Sequence, residues 1–474
     1  MNDYVVQSLL MRMNKKTYVI KCIMGVLIAA TLTGCGAKPA TTPKPEADIM
    51  EAVGEEQASL MAEYDLMEAQ DNAVATTDGQ NAEDMGDTGA QPSGDKAGET
   101  AVNDPDSTEI IMVGDILLHT PVEEAAYDPD ADKYNYDFIF EDTRSDIEQA
   151  DIAIVNQEVI IGGKELGVSG YPSFNAPNEI GDALVDAGFD VVCQATNHAM
   201  DKGAKGITNC VNYWQEQHPE ILMVGIRDKE DDSIALYEDK QTGITVAILN
   251  YTYGTNGIPL PADKPYAVSL LKEDKVTEDL IRAEQEADFT IVIPHWGTEY
   301  SMGVSAEQRK WAKIFAGNGA DLILGAHPHV IEPIEWVGDD SATGTASGES
   351  QATDATQDAN NGALCYYSVG NFVNWTSGTG KGVVNRMIGG MAKVSLKKAD
   401  DGRVYISHYA IEPIVCHVES GRENVRVYKL DDYNEQLGQQ SEIIKQDPEF
   451  SYGYCAALTE EMWGEAIEGV DVAP

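Results

Sequence analysis

Five runs of apolar, largely β-branched residues each end in a short polar cluster, and this repeated juxtaposition constrains the chain more than any other feature. The runs span residues 110–113, 152–155, 191–193, 289–293 and 322–324, and the clusters are Asp115, Asn156 with Glu158, Asn197 with His198, His295, and His327 with His329. Short unbroken apolar runs predict strands buried on both faces. Between them, residues 141–149, 178–187, 204–217, 275–287 and 306–318 are amphipathic and predict helices, with Pro177 and Ser305 as starts for the second and the last. Strands alternating with helices predict an α/β fold, and residues 364–369, 391–396, 404–411 and 425–429 add a β-rich C-terminal part. Loops leaving the carboxyl ends of parallel strands converge on one sheet edge. The clusters are therefore expected to meet there, and their carboxylates, carboxamide and imidazoles suit a divalent transition metal: Zn²⁺, Mn²⁺ or Fe.

Each cluster has its own chemistry. Gly114 lets the chain turn and bring the Asp115 carboxylate to a metal, a helix cap or turn being the alternative role. Asn156 and Glu158 share one side of an extended segment, so Glu158 is placed as a ligand and Asn156 as the holder of a phosphate, a carboxylate or a neighbouring loop. Imidazoles in general titrate near neutrality, as a general acid requires, which makes His198 the candidate proton donor, and Asp201 is placed to orient it. His295 follows Pro294, with Trp296-Gly297 suggesting an aromatic wall and Glu299 beside it. His327 and His329 alternate around Pro328, which stiffens the loop so that both rings face one centre or two neighbouring ones. Asn371 either lines the same pocket or makes a turn, and His218, His408 and His417 are expected in surface or structural roles.

The order of Val113-Gly114-Asp115, Asn156-Gln157-Glu158, Ala195-Thr196-Asn197-His198, the segment 295–300, Gly325-Ala326-His327-Pro328-His329-Val330 and Ser368-Val369-Gly370-Asn371-Phe372 resembles the bacterial capsule-synthesis family CapA, or PGA_cap, associated with poly-γ-glutamate. That family resembles the calcineurin-type metallophosphoesterases. The resemblance spans roughly residues 109–412 and implies one main domain, a β-sandwich flanked by helices. It also implies that the Asn197 carbonyl contacts the metal and that His198 donates a proton to the leaving group or the transition-state oxyanion. The phosphoesterases usually carry a histidine two residues after the first aspartate; here Leu117 stands in that place, His119 follows it, and Glu158 is expected to replace the missing ligand.

Arg12, Lys15 and Lys16 precede an apolar stretch, residues 22–30, closed by Leu32-Thr33-Gly34-Cys35. This resembles a bacterial lipobox, so residues 1–34 are expected to be a signal peptide and Cys35 the acylated first residue; the apolar run is short of the roughly 20 residues that a membrane span needs. Residues 35–107 are rich in Ala, Thr, Gly and acids and poor in aromatics, and are expected to form a disordered acidic tether with a coil reach of ~50 Å. A similar composition predicts a disordered insertion at 338–361 in the main domain, 108–430, which a C-terminal extension, 431–474, follows.

Loss of residues 1–34 would remove Arg12, Lys15, Lys16, Lys21 and Asp3, moving the formal charge from −48 to −51. Such a surface repels nucleic acids, and it repels a polyanion unless bound cations or local basic groups screen the contact. Cys193, Cys210, Cys365, Cys416 and Cys455 lack metal-ligand spacing and are expected to be buried thiols. The chain is thus expected on the outer face of the cell membrane. There it would meet an anionic envelope polymer such as poly-γ-glutamate, either as a metal-dependent hydrolase or as an accessory subunit to a membrane synthase.

Overall fold

The computed structural model describes residues 104–338, 362–421 and 423–473, all within one compact unit, Asp95–Pro474. Among them the chain builds two large sheets. In the first, of nine strands, Val425–Lys429, Val404–Val418, Ile388–Lys398, Ser107–Leu117, Ile152–Asn156, Val191–Cys193 and Leu222–Val224 lie side by side in that order. The last four run parallel, and Asn371–Asn374 adds a further parallel partner to Ser107–Leu117. In the second, of six strands, the order is Ile334–Gly338, Gly362–Tyr366, Leu322–Leu324, Phe289–His295, Thr245–Thr252 and Ala235–Glu238, with antiparallel strands at the two edges only.

Side-chain alternation in the second sheet explains why its strands read as unbroken apolar runs. Val246, Ile248, Ile291, Ile293, Leu322 and Leu324 belong to the main core, shared with the first sheet. Their alternate neighbours Ala247, Leu249, Val292, Ile323 and Cys365 join a second core with Val276, Leu280, Trp311 and Phe315 of the helices Glu273–Glu286 and Ala306–Gly317. Each fully buried Val, Leu or Ile contributes roughly 1.5–3 kcal/mol. The result is a two-sheet α/β sandwich with helices outside it, forming a single main domain as expected.

The five signal runs all fall in strands, and the expected helices fall within a residue or two of Glu179–Ala187, Gly203–Gln217, Glu273–Glu286 and Ala306–Gly317; only the first is trimmed, to Arg144–Glu148. Ser305 caps the last of these in a capping box with Gln308, whose amide also donates to Glu332 Oε2 at 2.5 Å and so ties that helix to the segment after His329. Three placements differ from expectation. Thr245–Thr252 is a central strand that the sequence pattern passes over, because no ionisable cluster follows it. Asn371 opens the strand Asn371–Asn374, and Gly338 belongs to Ile334–Gly338, leaving only 339–361 of the expected insertion outside the described residues.

The C-terminal segment packs on the sandwich. Ile443, Phe450, Cys455 and Trp463 enter the main core, and Trp463 Nε1 donates to Glu332 O at 3.0 Å. The five later cysteines are buried and unpaired.

Candidate metal centre

The first strand does not end before Asp115. It continues to Leu117, with shifts of pairing register on either side of Asp115 that turn the carboxylate toward the neighbouring loops. Gly114 is required by close approach and not by a turn: a Cβ there would stand 1.8 Å from the Gly370 carbonyl oxygen. Asp115 is fully engaged. Its Oδ1 accepts from Asn156 Nδ2 at 2.7 Å, and its Oδ2 accepts from the His327 backbone N–H at 3.2 Å and lies 3.2 Å from His329 Nδ1.

The histidines are held in defined tautomers by these partners. His329 Nδ1 faces Asp115 Oδ2 and, at 3.0 Å, Asn371 Oδ1, so it carries the proton and leaves Nε2 toward Glu158 Oε1, 3.6 Å away. His295 Nε2 donates to Asn197 Oδ1 at 3.0 Å, and its Nδ1 lies 3.4 Å from Asn156 Nδ2. Burial holds His295 and His327 well below the usual imidazole range, hence neutral. The Glu158 and Asp115 carboxylates outweigh the burial that lowers His329 and push it up to about 10, so with no cation bound Nε2 carries a second proton, which a bound metal would displace. His327 and His329 both adopt positive φ, 100° and 58°. Such backbone costs on the order of 1–3 kcal/mol per residue and persists where the surroundings impose it.

At the centre, ligand atoms of Glu158, His327 and His329 lie within 4.8 Å of one another, all buried. Both Glu158 carboxylate oxygens and His327 Nδ1 are buried without a hydrogen-bond partner. An ionised carboxylate in that state costs on the order of several kcal/mol, and burial accordingly raises the Glu158 pKa well above the ordinary range. A divalent cation removes that cost. The donor set, one carboxylate and two imidazoles with Asp115, Asn197 and His295 in contact around them, fits Zn²⁺, Mn²⁺ or Fe.

Beside this cluster His198 Nδ1 lies 2.7 Å from Asp201 Oδ2, which also accepts from Phe174 N–H at 2.7 Å. The pairing expected from sequence is therefore present, and it engages the Nδ1 side of the His198 ring. Asn250 fixes this loop to the other sheet: its Oδ1 accepts from Ala195 N–H at 2.7 Å and its Nδ2 donates to Ile293 O at 2.8 Å.

Three expected ligand-binding residues do other work. Trp296 is buried in the second core between Phe315 and Tyr367, with Nε1 donating to Tyr367 O, so it forms no wall. Asn371 is buried and spends both ends of its amide on His329 and the Arg386 carbonyl, whereas Asn156, also buried, gives its Nδ2 to Asp115 and keeps its Oδ1 without a hydrogen-bond partner. Glu299 is exposed, and its charge bears on Glu158 and His329. The aromatic wall is made by residues that the sequence did not single out. Tyr253 lies tilted 4.7 Å from His327, Tyr300 lies 5.9 Å from His329, and Tyr171 packs on Phe174, which meets His198 at 4.6 Å. At 49%, 47% and 53% exposed, these three are among the few large apolar side chains turned to solvent, and they surround a buried polar centre. Asn256 also approaches, its Nδ2 3.5 Å from His198 Nδ1 and its Oδ1 accepting from Asn197 Nδ2 at 3.3 Å. Tyrosines in irregular loops give no periodic signal.

Residues 109–376 match the family described as bacterial capsule synthesis protein PGA_cap. The chain belongs to this family. It is 30% identical over 247 residues to the PGA biosynthesis protein CapA of Bacillus subtilis (strain 168), which covers 49% of this chain and 53% of that one. It is 27% identical over 277 residues to the capsule biosynthesis protein CapA of Bacillus anthracis, covering 56% and 60%. The chain thus spans between half and two thirds of the length of these relatives. Among solved structures, the NAD nucleotidase of Haemophilus influenzae aligns at TM-score 0.34 with 11% identity, over 66% of this chain and 58% of that one. The purple acid phosphatase PPD1 of yellow lupin aligns at 0.26 with 10% identity, over 65% and 51%. All the clusters that first drew attention, from Asp115 to His329, fall inside the matched segment.

Proposed function

We propose that this member of the capsule-synthesis family is a metal-dependent hydrolase, lipid-anchored at Cys35 on the outer face of the membrane. Its substrate would be an amide or phosphoester bond in an anionic envelope polymer such as poly-γ-glutamate. The observation that carries the reading is the set of buried, unpartnered atoms on Glu158 and His327 beside the His198–Asp201 pair. Glu158, His327 and His329 would hold a divalent ion, which when bound would supply Lewis acidity for hydrolysis. The chain's own residues do the rest: Asp115 and Asn371 fix the His329 tautomer, Asn197 orients His295, and Asp201 holds His198 so that Nε2 donates to the leaving group.

A second reading has its own support. Leu117 is buried in the main core where the phosphoesterase pattern calls for a histidine, which favours a non-catalytic accessory subunit that guides polymer to membrane synthase subunits. One experiment separates the two. Elemental analysis is expected to find metal in the purified protein and less of it in His327→Ala and in His329→Ala. His198→Ala is expected to keep its metal and lose hydrolysis of γ-glutamyl peptides and phosphodiesters by 10²-fold or more, the order of a general acid's contribution. Equal metal in wild type and both ligand variants refutes the metal centre. Full metal with no hydrolysis by the wild type, and normal capsule in cells carrying His198→Ala, selects the accessory reading.

A further inference from the structure

The chain has 32 basic residues against 80 acidic ones, and most of its described arginines are committed: Arg309 to Glu335, Arg403 to Asp401, Arg426 to Glu141 and Asp142, Arg282 to Glu286. Arg386 is different. Among the described residues no carboxylate lies within ion-pair distance of its guanidinium, and its Nε is buried without a hydrogen-bond partner. The guanidinium instead lies 3.6 Å from the centre of the Tyr300 ring, and that ring is the one 5.9 Å from His329. Stacking leaves the N–H edge of the fork directed away from the ring, where a planar or tetrahedral oxyanion can be taken up.

Its position is fixed from both sides. The Arg386 carbonyl accepts from Asn371 Nδ2 at 2.9 Å, and the same Asn371 meets His329 Nδ1. Tyr300 is pinned by its backbone N–H to Pro328 O at 2.8 Å, between the two histidines. An uncompensated arginine is costly in a neutral setting. In a protein of formal charge −48 that handles a polyanion, it supplies the local cation that the rest of the surface lacks.

We infer that Arg386, stacked on Tyr300, is the oxyanion-recognising group of this site and docks a carboxylate or phosphate of the substrate next to the bond held at the metal centre. The inference rests on the proposed handling of an anionic polymer but not on its hydrolysis. Its test is therefore binding. Isothermal titration of the full chain as purified, with metal content measured in parallel, uses two probes: a γ-linked glutamate tetramer and inorganic phosphate. Arg386→Ala is expected to weaken the tetramer about 10–100-fold, the range for a charge-assisted hydrogen bond pair, with Arg386→Lys in between because a point charge replaces a fork. Metal content should be unchanged, and Arg309→Ala should bind as wild type does. An equal loss for phosphate assigns a general oxyanion site, and a loss confined to the tetramer assigns a carboxylate site.

Unchanged affinity for both probes in Arg386→Ala overturns the inference, as does a wild type that binds neither. Weakening that comes with loss of metal also overturns it, because Arg386 would then act by holding His329. Arg386-dependent binding by a protein that hydrolyses nothing removes the hydrolase reading and leaves this one standing.

Discussion

Buried ionisable side chains in this protein divide by whether a partner meets them. Asp115 is met on both oxygens, whereas Glu158 is met on neither, and that contrast singles out Glu158 as the carboxylate that a cation would neutralise. Glu123 shows what burial does without one. It lies in the helix Thr120–Ala126, takes a short hydrogen bond from the Tyr136 hydroxyl, and is pushed up to about 8, mainly by burial. A carboxyl whose pKa is raised in the fold contributes stability that is fully present below its unfolded value and lost as pH rises through its folded one. The loss therefore falls between about pH 4.5 and 8 and amounts to a few kcal/mol, at about 1.4 kcal/mol per unit. Urea unfolding of Glu123→Gln beside wild type at pH 5, 7 and 9 should show the variant gaining on wild type as pH rises; a constant gap across that range means the carboxyl is not neutral in the fold. The residues that gather at the centre were legible because carboxylates and imidazoles after apolar runs are rare. Asn156 and Asn371 were legible as site residues but not in role, since a carboxamide can bind a ligand or a neighbour and only contacts decide which.

Strands that carry ionisable residues out of the sheet announced themselves, whereas Thr245–Thr252 did not, although its Asn250 bolts the two sheets together below the centre. The antiparallel edges were equally silent: Ala235–Glu238 and Ile334–Gly338 are short and half-polar, and their pairing is set by neighbours distant in sequence. The same pairing bears on the polar stretch between Ile334–Gly338 and Gly362–Tyr366. These strands are direct antiparallel partners, with Gly338 opposite Gly362, so the connection between them need only reverse the chain. Replacing 339–361 with a two-residue Asn-Gly turn should shift the thermal midpoint by no more than a few degrees, because loop-closure entropy varies only with the logarithm of loop length. Differential scanning calorimetry of the replacement decides it, and a fall of 10 °C or more would show that those residues pack on the domain.

At the scale of the molecule, chemistry and attachment are separable. Among the described residues no helix is long and apolar enough to cross a membrane, and the sandwich with its C-terminal segment closes its own core. The proposed attachment lies in the segment before it, in which Leu32-Thr33-Gly34-Cys35 lies outside the described residues. A single acyl chain holds a protein to a bilayer only marginally, whereas the two or more chains of a bacterial lipoprotein hold it stably. The strong negative charge adds no attraction to anionic headgroups that could substitute for them. Cys35→Ser should therefore move the protein out of the washed membrane fraction, or leave it there only as a precursor heavier by residues 1–34, with metal content unaffected because Glu158, His327 and His329 lie far along the chain. Fractionation followed by intact-mass measurement reads both outcomes at once. A serine variant that is processed at the same site and stays on the membrane would place the anchor elsewhere than Cys35.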